Sequence, residues 1–202
     1  WHRPPMTVDE LPAKSGPGLM AVLIPAWGEA AVIGAMLGNC TRSWADSGCE
    51  HRIYVGCYPN DPHTSAAVIQ AAKHNPVIRL VLVNHIGPTT KADCLNVLWR
   101  AMLDAEARSG QLFKAVLLHD AEDVVHPDEI RLFDFMIDRF DLVQLPVLPL
   151  PGRGNWFARA NWRRTGAGQV LARLGVPAAA AALARGRAHK SEAVRAACGD
   201  SG

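Results

Sequence analysis

The stretch VLLHDAEDVVHPDEI, residues 116–130, decides the fold of this chain. Its apolar start belongs to the run KAVLLH (114–119), and a short continuous run of this kind predicts a strand buried on both faces. Three carboxylates follow the run within four residues: Asp120, Glu122 and Asp123. Residues 127–140 then place apolar side chains at helical spacing. The stretch therefore predicts a strand, an acidic turn and a helix, in that order.

Four similar apolar runs occur elsewhere in the chain, at residues 19–25, 52–57, 78–83 and 141–147. Helix-like segments separate most of them, at residues 29–44, 62–74 and 90–108. Pro62 suits the first turn of a helix, and Thr90 is expected to cap one. This alternation of strands and helices predicts an α/β fold with a mainly parallel sheet and helices on both faces.

The chain divides by composition into three parts. Residues 1–18 are rich in proline and predict an extended lead-in, while residues 19–150 carry the strand and helix pattern of the main domain. Residues 151–202 hold 14 Ala, 8 Gly and 8 Arg, which predicts an irregular or helical basic tail that packs poorly or is disordered. Two interpretations of this tail stay open: a genuine basic tail, or the product of a shifted reading frame.

Overall composition restricts the class of protein. The 202 residues are 49% hydrophobic and 20% charged, as in globular domains. Residues 1–150 hold 12 basic and 17 acidic side chains, which argues against a nucleic-acid partner. Five cysteines without metal-type spacing favour a reducing, cytosolic compartment. No run approaches the roughly 20 apolar residues of a membrane helix, and the first residue is Trp, so we expect a fragment whose membrane segments, if any, are missing.

Polar side chains follow every predicted strand from the first to the fourth. Because the carboxyl ends of parallel strands meet at one edge of a sheet, we expect these residues to lie together there. Carboxylates such as Asp120 and Glu122 repel one another unless a cation is present, and Mg²⁺ or Mn²⁺ accepts oxygen ligands of this kind. The alternative is a solvated turn before a helix whose first turn carries Asp128 and Glu129.

Further candidates occur at predicted helix starts. Lys91 could meet a phosphate and Asp93 a sugar or base, but both residue types are also ordinary at an exposed helix start. Asp61 lies in an Asn-Asp-Pro turn that commonly begins a helix. Glu29, with Trp27 close by, could grip a nucleobase and its ribose, or simply favour a helix N-terminus.

Several familiar sites are absent from the sequence. It contains no GxxxxGK[ST], no strand-linked GxGxxG and no GxSxG, which argues against P-loop ATPases, Rossmann dehydrogenases and α/β-hydrolases. Two histidines flank the acidic turn, so a metal-dependent phosphohydrolase that uses His119, Asp120 and His126 is one alternative function. The sequon at Asn39 is interpreted as chance.

Four ordered segments resemble the motifs of glycosyltransferase family 2, the nucleotide-diphospho-sugar transferases of GT-A fold. They are AVLIPAWGEAAVI (21–33), VGCYPNDPHT (55–64), TTKADCLNVL (89–98) and LLHDAEDVVHPDEI (117–130). The last is similar to the family's DxD stretch. The resemblance covers about residues 1–150 and is closest to the bacterial phage-adsorption membrane glycosyltransferases.

This resemblance implies a donor site, a metal site and a reaction. The implied donor-binding residues are Pro25, Ala26, Trp27, Glu29, Asp61, Lys91 and Asp93. Asp120 and Glu122 take the metal positions, with Mg²⁺ or Mn²⁺ as the cofactor; Glu122 replaces the usual Asp, and Asp123 is expected to compensate. The implied reaction moves a sugar from a nucleoside diphosphate, UDP above all, to an unknown hydroxyl acceptor with inversion.

The family's acceptor loop and its catalytic base have no convincing counterpart in residues 151–202. We therefore expect a fragment that lacks the acceptor half and binds donor without useful turnover. A non-catalytic binding module with the same fold is the other alternative. The expected location is the cytoplasm or, for a full-length protein, the cytoplasmic face of the bacterial inner membrane.

Overall fold

The computed structural model describes residues 8–11 and 18–145, and residues Asp9–Val143 form one compact unit. A short 3-10 helix, Val8–Glu10, comes before the sheet domain. Four strands lie in this described part: β1 (Leu19–Pro25), β2 (His51–Cys57), β3 (Ile78–Leu82) and β4 (Phe113–Leu118). Four α-helices lie in the same residues: α1 (Ile33–Ser43), α2 (Pro62–Lys73), α3 (Lys91–Ser109) and α4 (Glu129–Ile137).

The strands form one parallel sheet in the order β3-β2-β1-β4. Val22 of β1 pairs with Ile53 of β2 on one side and with Leu117 of β4 on the other. Since all four strands are parallel, their carboxyl ends lie at the same edge of the sheet. The chain segments that follow the strands therefore begin side by side, and this edge is called the rim below.

Each face of the sheet carries its own apolar core. On one face, Ile33, Val68 and Ile130 bring α1, α2 and α4 into a cluster around Val22 and Ile53. On the other face, the α3 residues Cys94, Leu98 and Met102 pack on the sheet. Fully buried apolar side chains stabilise a domain by about 1.5–3 kcal/mol each. The predicted α/β fold with a parallel sheet and helices on both faces is confirmed.

Helix α3 approaches the sheet closely because β2 has a glycine beneath it. A Cβ atom on Gly56 would collide with Cys94 Sγ and lie 3.3 Å from Leu98 Cδ1. Thr90 caps the helix as predicted, because its hydroxyl accepts a hydrogen bond from Asp93 N at 3.2 Å. The first turn of α3 is therefore fixed to the rim.

The cysteines in the described residues are four buried free thiols: Cys40, Cys49, Cys57 and Cys94. Burial raises the pKa of Cys40 and of Cys57 to about 12, so both stay protonated at neutral pH. Cys198 lies outside the described residues. Within residues 8–11 and 18–145, none of the helices combines the length and the hydropathy that crossing a membrane requires.

Two sequence predictions differ from the structure, and two others fall mostly or wholly outside the described residues. Helix α1 begins at Ile33 rather than Glu29, because the Glu29 carbonyl accepts hydrogen bonds from both Val32 and Ile33 in a preceding turn. Residues 141–145 form no strand, so the predicted strand 141–147 is wrong over its described part. Most of the lead-in 1–18 and the whole tail 151–202 lie outside the described residues.

Burial also separates the inner strands from the outer ones. Every residue of β1 except the last is buried, whereas β3 and β4 are only partly covered. Both partly covered strands stand at the ends of the described sheet order, and one flank of each lacks a neighbouring strand there. The expectation that strands are buried on both faces therefore holds for the central pair and not for the outer pair.

Candidate functional site

Asp61 connects the ends of β1 and β2 at the rim. One carboxylate oxygen, Oδ2, accepts a hydrogen bond from Gly28 N at 2.7 Å, and Oδ1 accepts one from Thr64 N at 3.2 Å. Gly28 has φ +71°, a left-handed conformation that glycine adopts without strain. Partial burial works to raise the pKa of Asp61, but the hydrogen bonds from Thr64 and Gly28 outweigh it and hold that pKa below its ordinary value.

The segment after β1 contributes backbone as well as side chains to the rim. Glu29 N donates to the hydroxyl of the buried Thr64 at 3.0 Å. Ala26 is 2% exposed, and its N–H donates to the Gly56 carbonyl at 2.9 Å. Of the predicted donor-binding residues, Ala26 is thus a core residue whose side chain and N–H are already engaged. Pro25 is the half-buried last residue of β1.

Two aromatic rings stand beside these groups. Trp27 is 37% exposed and meets the buried Tyr58 edge to face, with ring centroids 5.3 Å apart. A Cβ atom on Gly87 would lie 2.6 Å from Tyr58 Cδ1 and 2.9 Å from Trp27 Cε3. Glycine at position 87 is therefore what lets the loop after β3 lie against both rings.

Asn60 binds that loop to the end of β2. Its amide nitrogen donates to the Gly87 carbonyl at 2.7 Å, and its amide oxygen accepts from Gly87 N at 2.9 Å. The Tyr58 hydroxyl lies 2.6 Å from Thr89 Oγ1, farther along the same loop. These contacts join the segments that follow the first three strands into one connected unit, the β2–β3 corner: Trp27, Gly28, Tyr58, Asn60, Asp61, His85, Gly87, Thr89 and Asp93.

Asp93 is held at the outer edge of the β2–β3 corner. Its Oδ2 accepts a hydrogen bond from Thr89 Oγ1 at 2.7 Å and lies 2.7 Å from His85 Nε2. The hydrogen bonds from Thr89 and His85 lower the pKa of Asp93 below its ordinary value. Its carboxylate is therefore charged at neutral pH and is oriented before any ligand arrives.

The acidic loop, residues 119–129, follows β4 on the other side of the rim. Asp120 Oδ1 forms an ion pair with Lys91 Nζ from the first turn of α3. Both side chains are half exposed, 50% for Asp120 and 56% for Lys91, so a ligand can reach this pair. Glu122 is exposed and makes no hydrogen bond or ion pair with another described residue.

Beneath Asp120 the loop is closed by a second carboxylate. Asp123 Oδ2 accepts a hydrogen bond from Asp120 N at 2.9 Å and lies 3.1 Å from His119 Nδ1. Because this carboxylate already serves the loop itself, Asp123 is not a free substitute for Glu122. The expectation that Asp123 compensates as a metal ligand therefore gains no support from its contacts.

Helix α1 and the residue that follows it, Trp44, hold the acidic loop through two hydrogen bonds. Trp44 Nε1 donates to the His126 carbonyl at 3.3 Å, and Asn39 Oδ1 accepts from Val125 N at 2.8 Å. The Asn39 side chain is thus a structural contact of the loop. Glu129, whose pKa burial raises, accepts a hydrogen bond from His126 N at 3.2 Å.

Asp120 and Glu122 suit a hard divalent cation in part. Both offer carboxylate oxygens at an accessible edge, the ligand type that Mg²⁺ and Mn²⁺ prefer. No group of three or more His, Cys, Asp or Glu side chains gathers around a possible ion within residues 8–11 and 18–145. An ion held here would therefore need further oxygen ligands from water or from a bound ligand.

The structure does not favour the phosphohydrolase alternative. The side chain of His119 is only 9% exposed and lies against Asp123, while His126 Nδ1 accepts a hydrogen bond from Asp128 N at 3.2 Å. Within the described residues, these two histidines and Asp120 do not form a three-ligand group.

Most of the predicted site residues lie on the rim, linked by contacts through residues that the sequence did not single out. Gly28 and Asp61 meet directly, as do Lys91 and Asp120. The linking residues that sequence reasoning missed are Tyr58, Asn60, Thr64, Gly87 and Thr89. All of them except Gly87 lie inside the quoted segments 55–64 and 89–98, but the sequence assigns none of them a chemical role there.

Comparison with known proteins assigns a family and relatives. The family model described as Glycosyltransferase like family 2 matches residues 17–177. The chain is 41% identical over 132 residues to Bacteriophage adsorption protein B of Escherichia coli (strain K12). That match covers 64% of this chain and 17% of the relative, so the chain spans about a sixth of the relative's length.

Two solved structures are also similar. The mannosyltransferase PcManGT from Pyrobaculum calidifontis, in complex with GDP-Man and Mn²⁺, is 19% identical with a TM-score of 0.45, covering 65% of this chain and 37% of that one. S. aureus TarS in complex with UDP-GlcNAc is 10% identical with a TM-score of 0.45, covering 66% and 38%.

Proposed function

Because the chain belongs to the Glycosyltransferase like family 2, we propose that residues 18–145 bind the nucleoside-diphosphate sugar donor of a metal-dependent, inverting sugar transfer to a hydroxyl group. The resemblance drawn from the four sequence motifs is confirmed at the level of the family. One observation supports the donor site above all. The rim joins an aromatic and carboxylate corner to an exposed acidic loop through the lysine of α3.

In this proposal the β2–β3 corner receives the nucleoside. Trp27 exposes part of its ring, which can cover a base or sugar, and aromatic–base stacking is worth about 1–3 kcal/mol. Asp61 and Asp93 are both ionised at neutral pH and can accept hydrogen bonds from ribose hydroxyls or base N–H groups. Their existing hydrogen bonds hold them in place, which lowers the entropic cost of binding.

The acidic loop and Lys91 receive the diphosphate. Asp120 and Glu122 would hold the cation, which supplies charge stabilisation for the leaving diphosphate. Lys91 pairs with Asp120 in the structure and offers an ammonium group to the phosphate oxygens. A diphosphate is a stronger anionic partner than one half-exposed carboxylate, so we expect Lys91 to turn toward it when the donor binds.

The acceptor side of the reaction is not assigned to any residue of this chain. A general base that deprotonates the acceptor hydroxyl contributes about 10²–10⁴-fold to the rate of a transfer of this kind. Without such a group the described domain is expected to bind donor and turn it over slowly. The choice of UDP in the donor, the hydroxyl nature of the acceptor and the cytoplasmic location all stay predictions.

Isothermal titration calorimetry of the complete 202-residue chain with UDP and with GDP, each with and without Mn²⁺, tests the donor site. We expect one of the nucleotides to bind, and Mn²⁺ to strengthen its binding by roughly tenfold or more, since even the loss of a hydrogen-bond partner of a metal ligand typically costs about 10–100-fold in metal affinity. Asp120→Asn should abolish this gain without weakening metal-free binding, because the substitution removes a negative charge and frees Lys91 for the phosphate oxygens. The matched control is Asp104→Asn, an exposed aspartate of α3 far from the rim.

Equal gains in the wild type and Asp120→Asn would overturn the metal role of Asp120. Failure of the wild type to bind any nucleoside diphosphate would overturn the donor site as a whole. That second outcome would favour the alternative of a non-catalytic module.

A further inference from the structure

We propose that His119 is a positioning residue that fixes Asp120 through Asp123, an inference that rests on the proposed donor function. The side chain of His119 is 9% exposed and belongs to none of the ligand-binding roles assigned above. Its contacts instead run from the sheet to the acidic loop. They account for a buried, polar side chain immediately before an exposed carboxylate.

The first contact attaches His119 to the sheet. His119 N donates to the Leu23 carbonyl at 3.2 Å, which extends the β1–β4 ladder by one residue beyond the end of β4. The backbone of His119 is therefore as well fixed as that of a strand residue. The ring of Trp44, in the buried core, lies tilted against the imidazole with centroids 6.1 Å apart.

The second contact passes from His119 to Asp123. Nδ1 lies 3.1 Å from Asp123 Oδ2, and since a carboxylate has no hydrogen to give, Nδ1 must be the donor. The same Oδ2 accepts the hydrogen bond from Asp120 N at 2.9 Å. One oxygen atom thus joins the buried imidazole to the backbone of the proposed metal ligand.

The other ring nitrogen of His119, Nε2, has no comparable hydrogen bond among the described residues. Nε2 is buried, forms no hydrogen bond in the described structure, and lies 3.4 Å from Glu129 Oε1. Only the Nδ1 side is therefore connected to Asp120. Groups that hydrogen-bond to metal ligands orient those ligands in proteins, and their removal typically costs about 10–100-fold in metal affinity or activity.

Three substitutions of His119 distinguish the role of Nδ1 from that of Nε2. Asn carries its amide nitrogen at the same number of bonds from Cβ as Nδ1, and Gln at the same number as Nε2. His119→Asn can still donate to Asp123, whereas His119→Ala cannot and His119→Gln is directed toward Glu129. We expect the gain in nucleotide affinity on adding Mn²⁺ to fall by at least about tenfold in His119→Ala and His119→Gln, which removes most of the gain. In His119→Asn it should stay within about threefold of the wild type.

A merely structural role would give a different pattern. It would weaken metal-free and metal-dependent nucleotide binding together, in step with a fall in Tm. Positioning predicts that metal-free binding stays unchanged and that the three variants separate by nitrogen position. If His119→Asn behaves like His119→Ala, or if His119→Ala keeps the full Mn²⁺ gain, the proposal is wrong.

Hydrogen exchange of the Asp120 amide separates this proposal from the donor function. We expect this amide to exchange faster in His119→Ala than in the wild type, and at nearly the wild-type rate in His119→Asn. If the wild type binds no nucleotide, the donor function is overturned while the exchange rates still decide whether His119 fixes Asp120. Equal exchange in all variants would overturn the positioning role even in a protein that binds donor normally.

Discussion

The two halves of the rim, the β2–β3 corner and the acidic loop, both carry carboxylates but hold them differently. In the β2–β3 corner, Asp61 and Asp93 each accept two or more hydrogen bonds from neighbouring groups and have lowered pKa values. In the acidic loop, the carboxylate of Asp120 has a single partner among the described residues, the half-exposed Lys91. The carboxylate of Glu122 has none among the described residues. Carboxylates that are held by neighbouring groups can position a neutral ligand, whereas carboxylates left accessible suit a cation. Under the proposed function, the β2–β3 corner would be a fixed nucleoside side and the acidic loop an adaptable diphosphate side.

The largest change in stability should come from adding a side chain at Gly87, where the loop after β3 lies tightly against Tyr58 and Trp27. Gly87→Ala places a methyl group against Tyr58 and Trp27 at 2.6 and 2.9 Å, and overpacking of this kind costs about 1–3 kcal/mol. Urea unfolding measures the loss. Gly34→Ala is the matched control, because nothing lies within 4 Å of its Cβ and alanine in a helix is favoured by about 0.5–1 kcal/mol. Equal unfolding midpoints for the two variants would contradict the tight approach of the loop to the rings.

A smaller effect is expected from Asp61→Ala. The substitution removes the cap of α2 and the hydrogen bond from Gly28, and loss of a cap costs about 1 kcal/mol, with 0.5–2 the usual range. The pKa of Asp61 in the folded protein lies below the ordinary aspartate value of 3.8, so its charge-dependent contribution to stability is present above that pH and is lost as the pH falls through the folded pKa.

The difference in free energy of unfolding between the wild type and Asp61→Ala should therefore be largest at pH 7 and shrink as the pH falls below about 3.8, because the charge-dependent part of the stabilisation is lost as Asp61 becomes protonated. Asp61→Asn keeps a capping oxygen without the charge, so it should lose less stability and show less dependence on pH. If the difference in free energy of unfolding between the wild type and Asp61→Ala grows as the pH falls, the direction of the pKa shift is wrong.

The smallest change in stability is expected for Lys91→Met, on the boundary between the two halves. Exposed ion pairs contribute about 0.2–1 kcal/mol, so the free energy of unfolding should change by no more than that. Affinity for UDP should fall severalfold in low salt, whereas affinity for uridine, which lacks phosphate, should stay the same. Calorimetry with both ligands checks this, and a parallel loss for uridine would move Lys91 to the nucleoside side.

Periodicity in the sequence predicted the sheet well. The runs 19–25, 52–57, 78–83 and 114–119 differ from the four observed strands by one residue at most at each end. The run 141–147 looks the same in sequence, yet residues 141–145 form no strand. Pairing partners and sheet order decide such cases, and apolar runs carry no information about either.

The site could be predicted only as far as topology reaches. Parallel strands bring their carboxyl ends to one edge, so Asp61, Lys91 and Asp120 could be grouped before any coordinates. The contacts between them depend on distances across 27–35 residues of chain, as in Asn60–Gly87 and Glu29–Thr64. Amides, hydroxyls and glycines make these contacts through local geometry, which no residue spacing reveals. The same limit hid the role of His119, which by type alone suggested a ligand.

Lys91 and Asp93 share the first turn of one long helix, α3, which lies across the sheet on a stripe of Cys94, Leu98 and Met102. A tilt or slide of this rod moves the lysine and the aspartate together, so the two sides of the site cannot be retuned one at a time through it. If the proposed donor site is right, substitutions deep in the stripe, or at Gly56 beneath it, would change nucleotide affinity without touching the ligand. The part of the chain under functional constraint is therefore longer than the part that a ligand would touch.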